Sequence, residues 1–206
     1  MLFKSLKKDN TSPFANFDYA TYLPKNGKPG KWLPKVVNLT LCSSGWHGCE
    51  DGDILEYLNA NIYEIETRGE VLKDSNKFTA QQIRLVRKCA GWNEMTARLF
   101  ACGCAAHVLK IFEKHRPSDK RPRETIKTAR RFARGKATQE ELAAAWDAAR
   151  AAAGDAAWAA ARAAAWDAAW DAARAAARAA AWDAARDAAR AAEKKWQVRR
   201  LLKLLI

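Results

Sequence analysis

Residues 146–193 read WDAA RAAA GDAA WAAA RAAA WDAA WDAA RAAA RAAA WDAA RDAA RAAE, from Trp146 to Glu193. The first place of each tetrad is Trp, Arg or Gly and the second is Asp or Ala. Every other place is Ala until the closing Glu193. Alanine is the best helix former and no proline interrupts the run, so the whole stretch is expected to be α-helical. Asp147 and Arg150, Asp171 and Arg174, Asp183 and Arg186, and Asp187 and Arg190 stand three apart, a spacing that pairs charges on a helix surface. Trp158 and Arg162, like Arg178 and Trp182, stand four apart, where a guanidinium can stack on an indole. The period matters more than the composition. Four residues overshoot a helical turn by about 40°, so over about nine tetrads the large side chains would circle a straight helix. Two or more helices packed through alanine faces are therefore expected, with a break near Gly154 and another later. Three readings of the aromatic arcs stay open, of which a fully solvated tail is disfavoured because it would expose the tryptophans. Either the tryptophans fill core, or Trp158, Arg162, Trp166 and Trp170 line a groove for a planar or anionic ligand.

Charge is distributed unevenly around this repeat. The 206-residue chain carries a formal net charge of +13. Six Arg balance six Asp within the tetrads, whereas Arg84 to Lys136 holds fifteen Lys or Arg against four acids. The last thirteen residues add five cations and no acid. A local positive field of this kind suits an anionic partner: a nucleotide-type small molecule, an acidic protein target, nucleic acid or anionic lipid. It equally suits a solvated basic face. No recognised nucleic-acid reader motif accompanies it, so that partner is the less favoured. Five cysteines, no apolar leader and no unbroken run of 18 apolar residues point to a cytoplasmic protein with free thiols and no spanning helix.

An α+β chain is expected: a small domain with one antiparallel or mixed β-sheet over 1–77, then an antiparallel helical bundle over 78–206 that includes the repeat. Pro13, Pro24, Pro29 and Pro34 punctuate the first part. Strands are expected over 17–23, 35–41 and 62–67, and a short helix over 51–59. Thr79-Ala-Gln-Gln82 has the form of a capping box, which predicts a helix from there to about Cys89. Further helices are expected after Asn93 and over 123–134, with Gly135 as a left-handed cap. Thr138-Gln-Glu-Glu141 is a second capping box. The segment from Lys194 to Ile206 is basic and amphipathic. It would either pack Trp196, Leu201, Leu204 and Leu205 inward or lie on a partner or membrane surface.

The densest cluster of reactive side chains is Leu41-Cys-Ser-Ser-Gly-Trp-His-Gly-Cys-Glu50. Cys42, His47 and Cys49 are chemically suited to a metal or to thiol and base chemistry, but their spacing matches no zinc ribbon or knuckle. Small residues around a buried turn explain the block better, and no metal or cofactor is assigned. Cys104 and His107, three apart on a helix, are read as packing at a close crossing. No phosphate-loop, dinucleotide-binding, zinc-protease or nucleophile-elbow motif is present. The ligand-binding candidates are His47 and the helical cations Arg121, Arg123, Arg130 and Arg131, beside the Trp and Arg positions of the repeat. No catalytic residue is assigned.

Two resemblances follow from quoted residues. The block at 41–50, with Ile62-Tyr-Glu-Ile-Glu-Thr-Arg-Gly-Glu70 and Lys73-Asp-Ser-Asn-Lys77, resembles a phage-enriched domain of uncharacterised function, with Trp46 where that domain has Phe. Cys104-Ala-Ala-His-Val-Leu-Lys-Ile-Phe-Glu-Lys-His115 and Arg121-Pro-Arg-Glu-Thr-Ile-Lys-Thr-Ala-Arg-Arg-Phe-Ala-Arg-Gly135 are similar to an immunity-protein domain found beside polymorphic toxins. Together these resemblances imply a non-enzymatic neutralising or counter-defence protein, in bacteria or a phage. An enzymatic alternative rests on Ser44 to Leu58, which resembles ADP-ribosyltransferase-like folds. It would place His47 on a nucleotide and make Glu64 or Glu66 the acid.

Overall fold

The computed structural model describes residues 1–151 and 172–206. The expected break near Gly154 lies outside them, as do Trp158, Arg162, Trp166 and Trp170. The chain is α+β and forms two compact units, Met1–Glu94 with Lys195–Ile206, and Met95–Lys194.

The first unit is built on four strands: β1 (Leu2–Leu6), β2 (Trp46–Glu50), β3 (Asn61–Lys73) and β4 (Phe78–Lys88). All pairings are antiparallel, one of the two arrangements expected, and the order β1-β2-β4-β3 closes into a barrel. The helix predicted from Thr79 is strand β4. Ile83 and Leu85 are buried in alternation with partly exposed Gln82, Arg84 and Val86, a period of two that a helix cannot satisfy. Arg84 and Arg87 meet Glu66 and Glu64 across the β3–β4 pair, adding cross-strand charge pairs. The core gathers Leu6, Tyr19, Leu33, Tyr63, Ile65, Phe78, Ala80, Ile83 and Leu85.

Neither expected strand at 17–23 nor at 35–41 forms, and the expected helix over 51–59 reduces to a 3-10 turn at Ile54–Tyr57. The proline-rich segment between them has another use. Gly30, Leu33 and Val36 donate backbone hydrogen bonds to Leu85, Ile83 and Gln81 of β4. Donation from every third residue is the period of a polyproline II chain, which keeps proline while still covering a strand edge. Gln82 and Trp46 reinforce it through bonds to the Leu33 and Pro34 carbonyls.

The C-terminal segment belongs to this unit through buried Leu201 and Leu205, with Trp196 and Leu204 half-buried. Gly91 lies directly against it. A Cβ there would lie 2.0 Å from the Leu204 carbonyl oxygen, so only glycine fits.

The second unit is helical. Helix α1 spans Glu94–His115 and α2 spans Arg121–Ala133. A further helix, α3, is described over residues 139–151, and α4 spans Ala172–Leu205. Arg98 stacks on Phe132 near one end of the α1–α2 pair, and Arg123 grips Glu113 near the other, so these helices run antiparallel. Arg131 with Glu141, and Thr125 with the Ala145 carbonyl, set α3 antiparallel to α2. Gly135 (φ +68°) ends α2 with its N–H on Phe132 O and that of Lys136 on Arg131 O, the paired bonds of a Schellman cap. Thr138 and Glu141 exchange side-chain bonds with each other's N–H as the capping box requires. Helix α4 is continuous over 34 residues, so the second expected break does not fall within it.

Candidate functional site

In the first unit a cavity of about 460 Å³ opens on one face of β1 and β2. Strand alternation brings its floor together. Phe3 pairs with Cys49 and His47 with Thr79 in the strand registers. Continuing the β1–β2 register sets Ser5 opposite His47. Ser5, His47 and Thr79 thus form a row across β1, β2 and β4. Ser5 Oγ, His47 Nε2 and Thr79 Oγ1 are all buried and have no hydrogen-bond partner among the described residues. Each such group costs on the order of 1–3 kcal/mol. Ser5 and His47 line the cavity. Gly48, between His47 and Cys49, faces the other way, where a Cβ would lie 2.6 Å from Phe78 Cζ and 2.8 Å from Ile65 Cδ1.

The electrostatics keep His47 neutral. Its imidazole is held below the ordinary histidine value by burial first, and then by the Lys4 and Lys77 cations. Lys4 donates to the His47 carbonyl at 2.8 Å, and burial lowers its own ammonium to about 8 against the opposing pull of Cys49. Burial also pushes the Cys49 thiol up to about 12, so it is a protonated, unreactive wall at neutral pH. Cys42 is exposed at the cavity, in the left-handed region at φ +64°, and its Sγ lies 4.0 Å from Asp74 Oδ2. Lys77 has its ammonium raised by its hydrogen bond with Cys42. Tyr57 donates to Asn76 Oδ1 at 2.8 Å, and Asn76 in turn donates to the Glu56 carboxylate. Phe3 is buried in the wall, and Phe14 at the cavity is 91% exposed.

The sequence singled out His47, and the structure places it at this cavity. Ser5, Lys4, Tyr57 and Lys77 were missed. Glu64 and Glu66 do not line the cavity; each pairs with an arginine of β4. Among the described residues, no three His, Cys, Asp or Glu side chains are grouped to hold a metal.

The other described candidates lie in the second unit. Arg121 forms a two-pronged pair with Asp119, at 2.9 and 2.7 Å, ahead of α2. Arg123 does the same with Glu113, whose carboxyl it holds below the usual range. Arg131 stands 3.5 Å from Glu141, and Arg130 lies close enough to the Cys102 thiol to counter the upward push of its burial. His107 is a partner of Glu193, with Nδ1 2.6 Å from Oε2. Residues Glu94–Lys114 of α1 form the one helix among the described residues long and apolar enough to cross a membrane, its most apolar 18-residue stretch having a mean hydropathy of 1.3. Its Arg98, His107 and Glu113 are spent on Phe132, Glu193 and Arg123, as in a core helix of the unit.

No curated protein and no solved structure matches the chain. A family match begins at Lys88 and ends at Leu204, more than half of the chain, and takes in all the described helices almost to their end. It lends no support to the phage-type resemblance of the N-terminal block. The family is described as Imm-5 like putative immunity protein, and the chain belongs to it.

Proposed function

We propose that the protein neutralises a toxin or defence component by binding it as a protein target. It would act without catalysis, in the cytoplasm of a bacterium or of a cell infected by a phage that carries it as counter-defence. The observation that carries this reading is the family match over residues 88–204. The excess of cations between Arg84 and Lys136 supports an acidic target surface, since opposite fields speed encounter and select partners. Sequestration of an anionic nucleotide-type ligand on the same helices is the weaker reading. Arg121, Arg123 and Arg131 each already face a carboxylate of their own unit.

The test is co-expression of the full chain with any toxin encoded beside its gene, followed by calorimetry on the purified pair. Rescue of growth and a complex that weakens as salt rises are expected. A folded full chain that neither rescues growth nor binds the toxin would remove this reading.

A further inference from the structure

We propose that the cavity on β1 and β2 of the first unit binds a small planar aromatic anion. Its ring lies among Phe3, Phe14 and Tyr57, its hydrogen-bonding edge on Ser5 Oγ and His47 Nε2, and its negative group on Lys77. The site is independent of the neutralising role, because all of its residues precede the part of the chain that carries the family match.

Three observations converge. Ser5 lines the cavity and is only 7% exposed, and its buried hydroxyl has no partner among the described residues. His47 Nε2, opposite it, is likewise buried and unpartnered. A neutral imidazole donates or accepts according to tautomer and a hydroxyl does both, so the pair can meet a heteroatom edge of either polarity. Next, the volume of about 460 Å³ is that of a small-molecule site, and its walls are mainly apolar in area with polar side chains set among them. Phe14 stands 91% exposed at the same cavity, a ring that a flat ligand would cover. Finally, the charges facing the site are unequal. Lys4 and Lys77 both act on His47, while the one lining acid, Glu56, accepts a hydrogen bond from Asn76.

Aromatic anions come from two sources, and the experiment separates them. The isotope-labelled full chain is titrated with nucleoside monophosphates in one arm and aromatic carboxylates such as 4-hydroxybenzoate or indole-3-acetate in the other. Amide resonances of residues 3–5, 47–49 and 57–59 are followed. One arm is expected to shift them saturably, and Lys77→Met to weaken that binding about tenfold or more. Ser5→Ala is expected to weaken the same ligand while raising the melting temperature of the free protein, because it deletes an unpaired buried hydroxyl. No shift from either arm at millimolar concentration would overturn the site. So would binding that both variants leave unchanged.

Discussion

His107 Nδ1 lies 2.6 Å from Oε2 of Glu193, 86 positions later in the chain. Glu193 is the only residue other than alanine in the fourth place of the twelve tetrads, and it meets α1. The two side chains are 41% and 21% exposed, which places the pair between surface and interior. A double-mutant cycle with His107→Ala and Glu193→Ala should give a coupling of about 0.5–1 kcal/mol by urea unfolding, shrinking with added salt. Strictly additive effects would mean that the contact does not help join these helices.

Gly91 ties the C-terminal segment to the barrel unit by its lack of a side chain. Gly91→Ala would push a methyl group into the Leu204 backbone, and the cost should be about 1–3 kcal/mol. Gly52 supplies the control, because a Cβ there meets nothing within 4 Å. Gly52→Ala should leave the denaturation midpoint nearly unchanged. Equal effects from both variants would contradict the close approach.

Much of this architecture is legible where local signals agree. The Thr138 box and Gly135 cap sit beside alanine-rich and amphipathic helical sequence, and both form as expected. The Thr79 box has the same spacing but is followed by Ile83-Arg-Leu85, whose alternation feeds a barrel core, and tertiary pairing with β3 wins. Residues 30–36 were not recognisable as a strand-edge cover, since a segment bonded through every third residue shows neither the strand period nor the helix period. His47 stood out by its chemistry. Ser5 did not, because only the register opposite β2 reveals that a serine in Leu2-Phe-Lys-Ser-Leu6 has nothing to bond.

Lys4 offers a pH-dependent test of the barrel. Burial lowers its ammonium from an ordinary 10.5 to about 8, so the folded state releases this proton before the unfolded chain does. Below about pH 8 both states carry the charge and the folded state bears the full penalty. Between 8 and 10.5 only the unfolded chain holds the proton, so stability from this group rises with pH. Lys4→Met should therefore be more stable than the parent at pH 7, by up to about 3 kcal/mol, less the lost bond to the His47 carbonyl. That advantage should fade as pH approaches 10.5. Cys49 trends the opposite way, because its thiol stays protonated in the folded barrel well above its unfolded value, and since it and Lys4 act on each other, carrying Cys49→Ala in both proteins isolates the amine. A destabilised Lys4→Met at neutral pH would show that the amine contributes more than it costs.

The basic helices make a kinetic prediction about the target. Lys110, Lys114 and Lys127 are exposed on α1 and α2, so reversing them to glutamate should not disturb packing. Melting temperature should stay close to that of the parent. If the positive field steers an acidic partner, the association rate should fall by about 10-fold to 100-fold at low salt, while the dissociation rate changes little. Raising the ionic strength should then bring parent and variant together, because screening removes the parent's advantage. A variant that associates normally but dissociates faster would instead put these lysines in direct contact with the target. A variant unchanged in both rates would make the charge a solvated face, and would leave recognition to the arginine pairs of α2 or to the apolar surfaces of the helices.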